Sequence, residues 1–260
     1  MTNCIKSEFY RIFHKKSIWR MTGACLAAVL LVNAALWGMN LLEGKMGGDF
    51  PWATTRFAFS LLEGYMNIPL FLSAVMGGLI TGDELKHRTV NNSVAFGLSR
   101  DKIYLSRIPA GLAASAFCLL VTEAGYIGSG YLLLEDSGAE YTLSLLKGTA
   151  ACVPAWIAGM TAVMSLYYLT GSRSAGIWSW LLIMVAVPAA VGVLGLKFAF
   201  CERLSSWLLY TMVSYCALDG DRLLYNWSTG AGVLKCMTAG FIGILVFMAL
   251  GIVAIRRREL

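Results

Sequence analysis

The chain has 260 residues, 58% of them hydrophobic and 14% charged, with mean hydropathy +0.67. That balance excludes an ordinary soluble domain, whose surface needs more polar side chains, and the apolar residues fall in runs long enough to cross a bilayer. The formal charge of +6 does not imply nucleic acid, because cations gather on the cytoplasmic side of membrane proteins. With five prolines and no Pro/Gly/Ser linker, residues 1–260 read as a single membrane domain. The expected fold is all-α and polytopic, with six transmembrane helices, an N-terminal amphipathic helix and short outer helices between spans five and six.

Residues 3–20 come first. Ile5, Phe9, Ile12 and Phe13 fall at helical spacing, and Lys6, Arg11, His14, Lys15, Lys16 and Arg20 supply the polar side. This is an amphipathic helix suited to the interface, with cations toward lipid phosphates; the alternative is a cytosolic extension of the first span. It has no apolar core before its basic cluster, so no cleavable signal peptide is expected. The first span covers about 21–42, with Asn33 its most polar residue. A short loop over 43–56 carries the turn signal Gly47-Gly48-Asp49 and the interfacial Trp52. The second span covers about 57–81. It contains Glu63, Asn67 and Pro69, and the proline is expected to kink it.

The longest charged stretch follows, residues 82–107, GDELKHRTVNNSVAFGLSRDKIYLSR. Its centre reads as a short helix with Leu85, Val90 and Val94 as apolar contacts. Gly97 is placed to end that helix in a left-handed conformation. Ser99 is placed to cap the next helix, with Asp101 in its first turn. A solvated basic loop is the plainer reading, and a docking surface for a second protein is the sharper one. Glu84, Thr89, Asn91, Asn92 and the run from Gly97 to Arg107 resemble the cytoplasmic loop between the second and third spans of ABC-2 type exporter permeases. The similarity is greatest to the six-span permeases of bacitracin and lantibiotic resistance, and it extends over the whole chain in span count and loop length. The resemblance implies a coupling helix that sits in a groove of a separate ATPase subunit, with Glu84, Leu85, Arg88, Thr89, Val90 and Asn92 making the contact.

The third span covers about 108–134 and contains Glu123. The loop beyond it is acidic, with Glu135, Asp136 and Glu140. The fourth span covers about 148–170. The link 171–176 is so short that spans four and five must be antiparallel neighbours. The fifth covers about 177–198, with Pro188 near its middle. Residues 199–232 are too polar for a clear span and read as one or two short interfacial or re-entrant helices, which need protein packing at membrane depth. The sixth span covers about 233–255 and is stopped by Arg256-Arg257-Arg258. With both termini inside, 14 of the 21 basic residues fall on the inner side, as the positive-inside rule requires.

Chemistry is sparse. The histidines are His14 and His87, both expected to be cytosolic, so no intramembrane proton carrier of that type exists. Glu84-x-x-x-Arg88 resembles part of the Glu-Glu-x-x-x-Arg motif of membrane proteases acting on prenylated proteins, but Asp83 replaces the first Glu and the intramembrane histidines are missing. No P-loop is present. None of the seven cysteines forms a CxxC pair, so no metal site is expected. Cys25, Cys118, Cys152 and Cys236 read as packing residues, and Cys201 and Cys216 share an outer loop where a disulfide is open. Carboxylates inside spans are costly and are candidate sites by default. Glu63 either snorkels to the outer headgroups or lines a path, and Glu123 either pairs with a hydroxyl or amide of another span or lines that path.

The expectation is therefore a permease subunit of an ATP-driven exporter in the bacterial plasma membrane, not itself an enzyme. ATP and Mg would be held by a partner ATPase, and a second permease, identical or related, would complete the path. The resemblance suggests an antimicrobial peptide or other amphipathic cargo. Glu63, Asn67 and Glu123 are the candidate path residues, with Tyr210 and Met212 an outer gate. The alternatives are a non-transporting scaffold or immunity protein and a channel that needs no ATPase.

Overall fold

The computed structural model describes residues 2–46, 52–87, 94–95, 97–219 and 222–257. The chain is a helical membrane bundle: among the described residues five helices are long and apolar enough to cross a bilayer, or six if one bent pair is a single span. In chain order the elements begin with α1 (Thr2–Phe13), α2 (Lys16–Met46), α3 (Thr55–Gly64), α4 (Ile68–His87), α5 (Arg100–Leu133) and α6 (Ala139–Thr170). Then come α7 (Arg173–Leu181), α8 (Val187–Gly195), α9 (Ala199–Ser205), α10 (Leu209–Ser214), strands β1 (Cys216–Asp219) and β2 (Arg222–Tyr225), and α11 (Gly230–Arg257).

The amphipathic segment is shorter than expected. It ends at Phe13, and α2 begins at Lys16, so the basic residues 16–20 belong to the first spanning helix. The second span is not one kinked helix. α3 and α4 are separate and meet at 57°, and Pro69 is the second residue of α4. There its missing N–H would have no intrahelical partner anyway. The carbonyl of Asn67 accepts from the amides of Leu70 and Phe71 at 3.1 and 3.3 Å, so Asn67 starts α4 at the break.

Pro188 acts differently in the fifth span. It cannot donate to the carbonyl four residues back, and the ladder widens to a π-turn over Leu182–Ala186, with the Val187 amide donating to Leu182 O. π-turns of this kind occur often at functional positions.

The chain is all-α as expected, with one small addition that the expectation did not include. Cys216–Asp219 and Arg222–Tyr225 form an antiparallel hairpin, with Cys216 opposite Tyr225 and Asp219 opposite Arg222. A 3₁₀ turn, Asn226–Ser228, leads from it into α11. The rest of the outer segment is two short helices, as expected. Cys201 and Cys216 are both free.

The most buried helix is α6, which packs against α3, α4, α7 and α11. α2 lies at the periphery and packs mainly on α5. Asn33 explains how an exposed helix holds its place. It is fully buried and its Nδ2 donates to Tyr126 O at 2.8 Å and to Ser129 Oγ at 2.7 Å on α5. Polar bridges of this kind orient helices where lipid offers no competing partner.

Candidate functional site

The bundle has two chemically different ends. One end carries α1, the two helix ends flanking residues 88–93, the α6–α7 link and the end of α11. We refer to it as the α1 end. The opposite end carries the α2–α3 and α5–α6 connections and the hairpin.

At the α1 end the helices are tied by charge. Ile12 buries itself in the core, which holds α1 against the bundle instead of flat on lipid. Arg11 donates to Ile80 O at 3.3 Å, and Lys15 Nζ donates to Leu79 O. These cations therefore meet backbone carbonyls of α4 about two turns before its end; the expectation that they face lipid phosphates does not hold for this pair. Glu8 accepts from Arg11 Nε at 3.0 Å and from Arg11 Nη2 at 2.5 Å. Its second oxygen lies 3.8 Å from Arg107 Nε on α5. Arg107 is only 2% exposed and its guanidinium lies 5.8 Å from the centre of the Tyr168 ring on α6. On the far side Arg256 Nε donates to Asp101 at 2.8 Å, and Arg100 donates to Arg256 O at 3.0 Å. Asp101 thus joins α5 to α11 as well as standing in the first turn of α5. One small helix and two arginine–carboxylate contacts tie α4, α5, α6 and α11 together.

The charged stretch itself is described only in part. Gly97 adopts φ 84°, the left-handed conformation expected of it, and its amide donates to Val94 O at 2.9 Å. Ser99 stands at the start of α5 in extended conformation, but its hydroxyl makes no capping bond. Glu84 and Leu85 lie in the last turn of α4. Arg88, Thr89, Val90 and Asn92 fall outside the described residues.

The two intramembrane acids share one device. Ser144 Oγ donates to Glu63 Oε1 at 2.7 Å, and Thr149 Oγ1 donates to Glu123 Oε1, also at 2.7 Å. Both hydroxyls come from α6. Five residues apart on a helix, they point about 140° from each other, so α6 holds an acid of α3 on one flank and an acid of α5 on the other. Glu63 does not snorkel: it is 6% exposed. Tyr225 and Trp227 stack at 5.0 Å over this region, and Tyr225 donates to Ser60 O at 3.2 Å. Burial pushes the Tyr225 hydroxyl above its ordinary range, with Cys216 and Glu63 pushing the same way, so it stays a donor. The hairpin therefore packs over α3 at the end opposite α1.

The expected gate residues are not loose. Met212 is 1% exposed, and its carbonyl accepts from Asn226 Nδ2 at 2.8 Å. The Tyr210 ring meets Phe71 edge-on at 6.3 Å, and Phe71 meets Trp180 at 5.8 Å. Tyr210 thus connects α10 to α4 just beyond the break at Asn67, whose Oδ1 is buried with no bond partner. Tyr210 also lines a pocket of about 330 Å³ together with Pro188, Gly192, Ser205 and Ser214. The structure links Tyr210 to α4 through Phe71 and Glu63 to α6 through Ser144.

Sequence reasoning missed Arg107, Tyr225 and the two α6 hydroxyls. A signal existed for the first: Arg107 stands at the head of an apolar run, where a cation needs a partner. No protein-family model matches the chain, and no curated protein matches it significantly.

Proposed function

We propose that the chain is the membrane permease of an ATP-driven exporter of an amphipathic compound, an antimicrobial peptide being the best candidate. In this reading a separate cytosolic ATPase binds ATP and Mg and docks on the α1 end through Glu84, Leu85, Arg88, Thr89, Val90 and Asn92. A second permease completes the path, and the chain lies in a bacterial plasma membrane with both termini cytoplasmic. The observation that carries the reading is the construction of the α1 end. The stretch that resembles a coupling helix is flanked by α4 and α5, which continue without interruption into the membrane, and α1 ties these two helices together. A displacement applied there would move spans instead of being lost in a slack loop. The closed cover at the other end suits a path opened on demand. A second reading, a membrane protein that binds a peptide without moving it, draws on the way α6 hydroxyls occupy both intramembrane acids.

Two outcomes are expected. In a cysteine-free background, Ser99→Cys is labelled only after an impermeant maleimide gains access to the cytosol. Labelling of intact cells from outside would reverse the orientation and remove the ATPase contact. The double variant Tyr210→Ala, Met212→Ala lowers resistance, transport and substrate-stimulated ATPase activity several-fold at normal expression. If all three stay at wild-type level, the outer cover is an anchor and not a gate.

A further inference from the structure

A cleft of about 410 Å³ is cut into the bundle between α2, α4, α5 and α6. Met21, Met76, Leu119, Trp156 and Met160 supply its walls. Ser73 and Ser115 also border it but are engaged elsewhere: Ser73 donates to Leu70 O at 2.6 Å and Ser115 donates to the Met160 sulfur at 3.5 Å. Thr122 Oγ1, at the far end of the lining, is buried without a bond partner, but the walls are otherwise apolar and favour an apolar occupant. Water does not suit such a site, because apolar cavities of this kind stay dry, and unfilled walls forfeit dispersion contacts.

Position and length narrow the choice. Along α5 the lining runs from Leu112 to Thr122, about 15 Å at 1.5 Å per residue, which is half of a roughly 30 Å hydrocarbon core. The cleft lies in the half of the bundle nearer α1, since Phe13 and Trp19 both pack edge-on against Phe117. Ala116 and Leu120 border it and are themselves exposed, Leu120 at 65%, so it is continuous with the surface that faces lipid. Lys16 and Arg20 are exposed on the first turns of α2, beside Met21, where cations attract lipid phosphates.

We propose that this cleft holds one acyl chain of a phospholipid drawn from the leaflet on the α1 side. The site is independent of whether the protein transports anything. A chain of one-leaflet length enters past Ala116 and Leu120, lies along α5 and leaves its headgroup beside Lys16 and Arg20.

The test uses the full chain in nanodiscs containing a small fraction of a phospholipid with an alkyl diazirine near the end of one acyl chain. Irradiation is followed by mass-spectrometric mapping. Met76, Leu119 and Met160 are expected to carry several-fold more adduct than Leu245 and Val246 on the exposed face of α11. Ala116→Trp at the mouth is expected to remove most of the cleft adduct and leave Leu245 unchanged. Leu120→Trp gives the same readout should Ala116→Trp fail to fold. Equal labelling of cleft and lipid-facing residues, or cleft labelling that ignores both tryptophans, would overturn the proposal. Cleft labelling by a diazirine hydrocarbon without a headgroup, with none by the phospholipid probe, would also overturn it and assign the site to a free apolar ligand.

Discussion

Gly240→Leu is expected to destabilise the bundle strongly at its centre. A Cβ at Gly240 would stand 2.5 Å from Pro154 Cβ and 2.7 Å from the Ala155 amide nitrogen. Two of the three nearest atoms are backbone, so no side-chain rotation relieves the clash, and α11 would have to move off α6. α6 is the most buried spanning helix and α11 is its most extensive partner. The cost should reach about 3 kcal/mol, the upper end of ordinary overpacking, against a total stability of only about 5–15 kcal/mol. Loss of monodisperse protein, or a thermal transition lowered by many degrees in detergent, is the expected readout. Gly128→Ala on α5 is the control. A Cβ there meets nothing within 4 Å, and replacing a helical glycine by alanine normally gains up to about 1 kcal/mol. An unchanged transition in Gly240→Leu would mean that the two helices are not in backbone contact.

Arg107→Ala is expected to release α1. The guanidinium is almost fully buried between Glu8 and the Tyr168 ring. Removing one partner of a buried ion pair typically costs about 3–5 kcal/mol, because the other charge is left without compensation. Glu8 keeps Arg11, so the loss should fall at the low end of that range. Arg107→Lys retains the charge but not the planar face toward Tyr168, and the two cations are not interchangeable at stacked sites. An intermediate loss is therefore expected. The measurement is limited proteolysis of α1 in detergent, read beside the thermal transition. Faster cleavage near Lys15 in Arg107→Ala, with Arg107→Lys in between, is the expected order. Wild-type protection in Arg107→Ala would show that α1 is held by Ile12 and its own cations alone.

The sequence carried five of the spans outright and the sixth only as the bent pair α3 and α4, because apolar length is a direct consequence of the solvent in which they fold. It carried some punctuation too: Gly97 turns left-handed where expected, and the stretch 199–232 divides into short helices. It misled at Pro69, because the same missing amide that kinks a helix from within starts one without cost, and the residue alone does not say which. The π-turn before Pro188 has the same origin. The hairpin has a signal in the sequence, since Asp219-Gly220 between Leu-rich flanks favours a tight turn.

Partners were the least legible. Glu63 and Ser144 are 81 residues apart, and Glu123 and Thr149 are 26. Nothing in the pattern of α3 or α5 names a hydroxyl on α6. Docking of α1 was hidden for a similar reason. Arg11 and Lys15 bind backbone carbonyls, which every sequence has and none marks.

Glu84 offers the most direct measurement of coupling. Glu84 and Arg88 are spaced i, i+4, and an internal pair of that kind stabilises a helix by only about 0.2–0.5 kcal/mol. Charge reversal would therefore leave folding intact while changing any contact with an ATPase. The chain is co-expressed with a candidate ATPase and reconstituted into vesicles, and ATP-driven transport is compared in wild type, Glu84→Arg and the exchanged pair Glu84→Arg, Arg88→Glu. Transport that depends on ATP in wild type, is lost in Glu84→Arg with the ATPase still co-purifying, and is not restored by the exchange is the predicted result. Transport at wild-type level in Glu84→Arg with the ATPase bound would contradict coupling through this residue. Transport that proceeds without ATP, or no association with the ATPase, would contradict the exporter reading itself.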